Sequence, residues 1–439
     1  MKNISRIAVH TIAVAVLASA AWATDGMNIE GYGPIALSLG GASYAYDNGN
    51  AAVINNPATL SLAPPPGNRL DVAVGFLGPD VTASVPGGPE ANSNEDAYFM
   101  PALGWSTRKG DLTYGFGVFA QGGMGTQYSS KSFLALNSGD GVRAEVSVGR
   151  FMLPLSYEVN DKLSVGGTVD FVWAGLDLKM AVPGAVAPGL VTGGTLPLPA
   201  LAGSDFVRID FSDDEQFSGD ARGYGAAGKV GLVYTPHEKI SIGAVYHSKT
   251  ALEDLETSGA ELSIGSSLTG VRSQTLKGDV TIRDFEWPET YGAGIAFQAT
   301  ERLLLVADVK HILWSDVMED FKLTFDARGG FGSVDLTLPQ NWDDQVVYAV
   351  GAAFKVNDQW TVRAGYNKTE NPIPDEFVNP LFPAIVEDHI TAGFGYSPDG
   401  VHAVHFAGVY VPETEVTNAD GIRIEHSQVS AQLMYSYSY

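Results

Sequence analysis

Cysteine is absent from all 439 residues, which excludes disulfides, thiolate metal sites and a cysteine nucleophile together. Basic clusters are absent as well. The net charge is −24, and nucleic-acid binding needs Lys and Arg gathered on one face, so no nucleic-acid partner is expected. Beyond the first residues no apolar run suits a membrane helix. The closest, from Met180 to Gly203, is interrupted by Pro183, Pro188, Pro197 and Pro199, and proline breaks a helix. That stretch reads as a long apolar loop. Histidine is scarce, with 8 residues, and no spacing matches a catalytic or metal-binding set. His402 and His405 sit three apart, so on a strand they point to opposite faces. His247, His311, His389 and His426 fall near strand ends, where they read as polar girdle residues. Neither catalysis nor a cofactor is expected.

The chain opens in the manner of exported proteins. Lys2 and Arg6 are followed by an apolar stretch from Ile7 to Ala18 and by Ala21-Trp22-Ala23, the charge, core and small-residue order of a secretory signal peptide. Residues 1–23 are read as that signal, its core being too short to span a membrane. Glycine is abundant, at 51 residues, as barrel strands and tight turns require.

The C-terminal half alternates with period two. Val346, Tyr348, Val350, Ala352 and Phe354 interleave with Gln345, Ala349, Gly351, Ala353 and Lys355, and the chain ends on Leu433, Tyr435, Tyr437 and Tyr439 against Gln432, Ser436 and Ser438. A soluble sandwich would also alternate, but two further features point to a membrane barrel. Aromatic residues fall at segment ends, at Trp105, Trp173, Tyr234, Tyr246, Trp314, Trp360 and Tyr410, where interfacial girdles need them. Connections also alternate between short turns, such as Asn160-Asp161, Thr300-Glu301 and Asn357-Asp358, and long links near 79–95, 122–142, 180–218, 250–275, 315–342, 368–387 and 413–421. A barrel with both ends on one side needs an even number of strands. Reading 276–299 as one long strand gives fourteen, in a barrel spanning 70–439.

Residues 24–69 do not alternate and carry little charge, so they read as a segment folded back into the lumen rather than a disordered tail. Gly40-Gly41-Ala42 and Asn56-Pro57-Ala58 in this segment, together with Leu338-Pro339 and Trp342, the run Trp360 to Tyr366, Pro372-Ile373-Pro374-Asp375 and terminal Tyr439, resemble the long-chain fatty-acid transporter (FadL) family. That family includes outer-membrane proteins for uptake of toluene and other hydrocarbons. The resemblance implies an all-β transmembrane antiparallel barrel of fourteen strands with an N-terminal hatch plugging the lumen. It implies passive, ligand-gated uptake of long-chain fatty acids or aromatic or aliphatic hydrocarbons through the outer membrane of a Gram-negative cell, by a monomer set in membrane lipid and lipopolysaccharide. Gly40, Gly41, Asn56, Pro57 and Ala58 are then the hatch and gating candidates. The family's lateral opening lies at a kink in the third strand, and the corresponding residues here are Gly115, Gly117, Gly122 and Gly123.

Among charged residues on the inner face, Arg363, Lys355 and Arg150 are the candidates for holding a ligand carboxylate, which needs a cation beside an apolar pocket. A general diffusion porin is the alternative, but its bore would be open and water-filled, which residues 24–69 and the apolar stretch 180–203 argue against. An outer-membrane enzyme is the remaining alternative, and it lacks a nucleophile and base on one face.

Overall fold

The computed structural model describes residues 25–64, 67–196, 204–216, 218–266, 268 and 270–439. The signal segment 1–23 lies outside the described residues, as do Pro197 and Pro199 of the apolar stretch. In chain order the strands are β1 Arg69–Ser84, β2 Glu90–Asn92, β3 Tyr98–Lys109, β4 Leu112–Tyr128, β5 Val142–Asn160, β6 Leu163–Pro183, β7 Val191–Gly194, β8 Phe206–Phe211, β9 Ala221–His237, β10 Ile240–His247, β11 Ala251–Leu252, β12 Leu255–Ser266, β13 Val271–Arg283, β14 Thr290–Gln298, β15 Leu303–Ile312, β16 Asp320–Ala327, β17 Gly332–Pro339, β18 Gln345–Lys355, β19 Trp360–Lys368, β20 Asp388–Tyr396, β21 His402–Thr417 and β22 Arg423–Ser438. No helix among the described residues is long and apolar enough to cross a membrane.

Period-two patterning produces the wall. Tyr348 and Val350 face outward at 58% and 49% exposure, whereas their neighbours Val347 and Ala349 face inward and are buried. Strand β1 closes the sheet by pairing with β22 from Arg69↔Ser438 to Ser84↔Arg423. Closure leaves no edge with unsatisfied backbone groups, as lipid demands.

The expected strand count is overturned. The closed circuit of antiparallel pairings takes in 16 strands rather than fourteen. Near the short turns β6 pairs directly with β9, up to Leu176↔Ala221. Beyond that point β6 turns to β8, from Leu178↔Phe211 to Pro183↔Phe206, β8 continues to β12, and β12 meets β9 at Glu256↔Arg222. Strands β8 and β12 thus widen the circuit at its long-loop end. They come from the links 180–218 and 250–275, and Phe206, Val207, Arg208 and Ile209 are buried in succession. A strand covered on both faces loses the alternation by which it would be recognised.

The single strand expected over 276–299 is likewise two. Strand β13 belongs to an outer annex in which β12, β13, β16, β17 and β7 pair in turn. The chain then breaks at Asp284, whose φ is 58°, and Trp287 leaves the sheet for the interior, fully buried. Pro288 cannot donate to a ladder, so pairing resumes only at Thr290.

Residues 25–64 form one α-helical turn, Pro34–Leu37, and two 3-10 turns, Gly49–Val53 and Pro57–Leu62. The fold by itself does not make them a hatch; it makes them a buried segment pressed against the inner wall.

Candidate functional site

The wall accommodates the N-terminal segment by omitting side chains. A Cβ on Gly166, Gly243 or Gly351 would run into Ala58, Tyr44 or Leu39 respectively. Gly40 (φ 71°) and Gly41 (φ 86°) make a left-handed turn that L side chains rarely adopt. The Gly40 amide donates to Thr391 Oγ1 at 3.0 Å and its carbonyl accepts from Asn367 Nδ2 at 3.1 Å. Asn56 caps the second 3-10 turn, its Oδ1 accepting from the Ala58 amide at 3.1 Å, the position where Asn is preferred. Its Nδ2 donates to the carbonyls of Tyr44 (2.7 Å) and Leu232 (3.2 Å). Pro57 occupies the first helical position, where its missing N–H costs nothing. Ser156 Oγ donates to the Ala58 carbonyl at 3.2 Å. The five residues read from sequence as hatch candidates are therefore docking points of this segment on β5, β6, β9, β19 and β20.

The wall has a window between β3 and β4. Their ladder runs from Lys109↔Leu112 only to Leu103↔Val118. Beyond it, Tyr98 to Ala102 still pair with β1, and β4 still pairs with β5 up to Tyr128↔Val142 with a register shift between Ala120 and Gly122. The two sides meet again at Asn94, whose amide donates to the Gln127 carbonyl at 2.8 Å. The N-terminal segment fills part of the gap as a strand would. Asn28 bridges Gly122, the Gly123 amide donates to the Met27 carbonyl at 3.0 Å, and Tyr32 Oη donates to the Gln121 carbonyl at 2.5 Å. A Cβ on Gly122 would overlap that Met27 carbonyl. Of the four glycines proposed for a side opening, Gly122 and Gly123 border the window, whereas Gly115 and Gly117 pair with Ser106 and Gly104 below it.

Two apolar cavities converge here. One, with about 750 Å³ of space that includes open solvent, lies behind the window against Met27, Glu30, Leu77, Tyr98, Met100 and Met124. The other, of about 560 Å³, opens toward the long loops between Leu178, Met180, Phe285, Phe321, Trp342 and Phe382. Met27 and Val146 line both, so the cavities adjoin. Beside them Trp287, Trp314 and Trp342 stack edge to face, with ring centroids 5.7 and 5.1 Å apart. Trp287 Nε1 donates to Asn28 Oδ1 at 2.9 Å, and Trp314 Nε1 to Gln345 Oε1 at 3.2 Å. Trp314 is thus an interior residue rather than the girdle aromatic expected from its place at a segment end. Sequence reasoning missed Met27, Trp287 and Trp342 as site residues; the Trp287-Pro288 interruption of a strand pattern was the available signal.

The charged candidates separate. Arg150 is fully engaged: it donates to Gln121 Oε1, to Asp170 Oδ2 at 3.0 Å and to Thr250 Oγ1 at 2.6 Å, and Lys229 Nζ reaches the same Asp170 oxygen at 2.6 Å. Lys355 and Arg363 lie at the short-turn end, against neither cavity. His247 and His426 are not girdle residues; they make inward bonds, with the carbonyls of Asn55 (3.0 Å) and Pro383 (2.9 Å). Asp25 is buried and ion-paired to Lys310. Glu30 is buried beside it, and burial foremost, with the Asp25 charge adding, pushes its carboxyl up to about 7.

A family model described as outer membrane protein transport protein (OMPP1/FadL/TodX) matches residues 10–436. Among solved structures, the P. putida toluene transporter TodX is 32% identical with a TM-score of 0.83, over 93% of this chain and 99% of that one. The Ralstonia pickettii toluene transporter TbuX is 31% identical with a TM-score of 0.77, over 93% and 99%. A Pseudomonas aeruginosa FadL homologue, 18% identical with a TM-score of 0.70 over 94% and 99%, shares the fold. A curated Chlorobium limicola protein, described as an uncharacterized protein in the phosphoenolpyruvate carboxykinase gene 5' region, is 42% identical over 81 residues, which are 18% of this chain and 40% of that protein's length.

Proposed function

The chain belongs to the outer membrane protein transport protein family of OMPP1, FadL and TodX, and on that premise we propose that it admits neutral hydrophobic molecules, monoaromatic hydrocarbons foremost, by passive diffusion. The family and the barrel together place it in the outer membrane of a Gram-negative cell, and its relatives are transport channels rather than enzymes. The observation that carries the choice of substrate is the chemistry of the two adjoining cavities. Neither is lined by a Lys or Arg, and the inner one carries Glu30 and Glu145. The lining offers a fatty-acid carboxylate no free cation, Glu145 being ion-paired to Arg143, whereas a hydrocarbon needs none to leave water for it.

In this reading the ligand enters among Phe285, Phe321 and Trp342, passes Met27, and displaces the strand-like stretch Met27 to Ile29 from Gly122. It then leaves sideways through the window into lipid. Gly40, Gly41, Asn56, Pro57 and Ala58 hold the rear of the segment while its front moves, and Gly122 and Gly123 form the gate itself. The protein works as a monomer surrounded by membrane lipid and lipopolysaccharide. No energy source is required, because the apolar gradient runs into the membrane.

The test is a reversible bar across the window. Cysteines replacing Met100 and Met124, which line the inner cavity from β3 and β4, are joined by a short thiol cross-linker that dithiothreitol cleaves. Toluene uptake by cells should fall to the background of cells lacking the protein when the link is closed and recover on reduction. Equal uptake in both states would exclude lateral exit.

A further inference from the structure

The N-terminal segment closes only part of the window. Met27, Asn28 and Tyr32 cover β4 from Gln121 to Gly123, and beyond them, toward the long loops, the wall closes the stretch from Met124 to Gln127 itself. Residues Asn94 to Ala97 leave β1 after Ser93, whose amide donates to the Val81 carbonyl at 2.8 Å, and return to it at Tyr98, which pairs with Leu77. Between those points they form a strap that reaches β4, where the Asn94 amide donates to the Gln127 carbonyl and the Gln127 amide donates to Ser93 Oγ at 3.1 Å. Beneath the strap the buried Tyr98 side chain crosses to Gly125, on which a Cβ would overlap its Oη. Tyr98 also lines the inner apolar cavity.

The strap is latched by charge. Both carboxylate oxygens of buried Glu95 are occupied, Oε1 accepting from Arg143 Nη1 at 2.8 Å and Oε2 from Gln216 Nε2 at 3.0 Å. Gln216 Nε2 also donates to the Ala97 carbonyl at 3.0 Å, so the loop between β8 and β9 holds the strap at two points. Arg143 on β5 is fixed in turn, because its guanidinium also pairs with buried Glu145 and Asp177 at 2.5 and 3.6 Å. Turning it away would leave buried carboxylates without their cation, which is strongly unfavourable. Displacing Met27 to Ile29 therefore frees one part of the window and leaves Tyr98 in place over the other. We infer that Tyr98, held by the latch of Glu95, Arg143 and Gln216, sets the size limit of the window: a single ring passes beside it, and a fused two-ring hydrocarbon is held back. The inference rests on lateral exit as proposed above and deepens it by naming the residue that selects among apolar ligands. Such ligands offer no hydrogen bond by which to be told apart, and size then discriminates by about tenfold or more.

Uptake of naphthalene and of toluene by cells carrying the full-length protein, each corrected for cells lacking it, tests the limit as a ratio. In Y98A the naphthalene-to-toluene ratio should rise about tenfold, and in Y98F, which keeps the ring, it should change by less than about twofold. Gln216→Ala removes two bonds of the latch and should raise the ratio several-fold. An unchanged ratio in Y98A, or a rise in Y98F as large as that in Y98A, would overturn the limit. If Y98A loses the heat-modifiable mobility of a folded barrel, Q216A, at an exposed loop position, serves instead, and an unchanged ratio there refutes the limit. The cleavable link between positions 100 and 124 keeps the two readings apart. A link without effect on toluene uptake overturns lateral exit and this limit together, whereas an effective link with an unchanged ratio overturns the limit alone.

Discussion

Gly231 of the wall and Asn56 of the N-terminal segment occupy one volume between them: a Cβ on the glycine would overlap the Oδ1 of the asparagine. The same amide donates to the carbonyl of Leu232, the next residue along β9, at 3.2 Å. Gly231→Ala should therefore push the Asn56-Pro57-Ala58 turn off the wall. Asn56→Ala should loosen it from the other side, leaving the buried Tyr44 carbonyl short of a donor at a cost of about 1–3 kcal/mol. Conductance of small hydrophilic ions in planar bilayers should rise in both variants. Unchanged conductance in both would mean that this turn does not hold the lumen closed.

Docking of the segment should depend on pH through Glu30. Its carboxyl is raised by burial from an ordinary 4.5 to about 7, so the folded state holds the proton more tightly than the unfolded one. The associated stability is fully present below pH 4.5 and is lost as pH rises through 7, at most a few kcal/mol by linkage. Hydrogen exchange of the Met27 to Tyr32 amides should accelerate between pH 5 and 8 beyond the intrinsic trend. Glu30→Gln should remove that excess, and an excess that persists in the variant would assign it to another group.

Trp287 joins strand break, tryptophan cluster and N-terminal segment through its stack on Trp314 and its bond to Asn28. Trp287→Ala should cost about 3–5 kcal/mol, as truncating a buried aromatic does, and lower the urea midpoint of the barrel in detergent. Trp287→Phe keeps most of the packing and loses the bond, so its midpoint should lie between. Toluene uptake should decline in the same order.

The two ends of the barrel should label differently on intact cells. An epitope inserted in the exposed turn at Gly330, at the tip of the β16–β17 hairpin, should be reached by antibody. The same epitope at Asp358, in the short turn between β18 and β19, should be reached only after the outer membrane is opened. The reverse pattern would put the long loops on the periplasmic side.

Much of the wall was legible because lipid on one face and lumen on the other force a period of two, and such a pattern survives in sequence. The links that became β8, β12, β16 and β17 were read as loops, and most of β13 as part of one longer strand, since strands packed against one another outside the lipid have no such constraint. The hatch candidates were found by resemblance, but their partners, Gly231, Thr391 and Asn367, lie hundreds of positions away and became visible only on folding.

Sequence alone therefore determined the all-β class and barrel closure, consequences of local pattern, and the family membership, through the resemblance of its motifs. Only tertiary structure decided which inner-face cations are already engaged. Arg150 looks like a free cation in sequence, yet Asp170, Gln121 and Thr250 use its donors. The window between β3 and β4 is equally invisible there, because a ladder that stops at Leu103↔Val118 leaves both strands with the residues they would have had if paired. Hydrogen bonds between distant strands are set by register and curvature, and neither is written in any one segment.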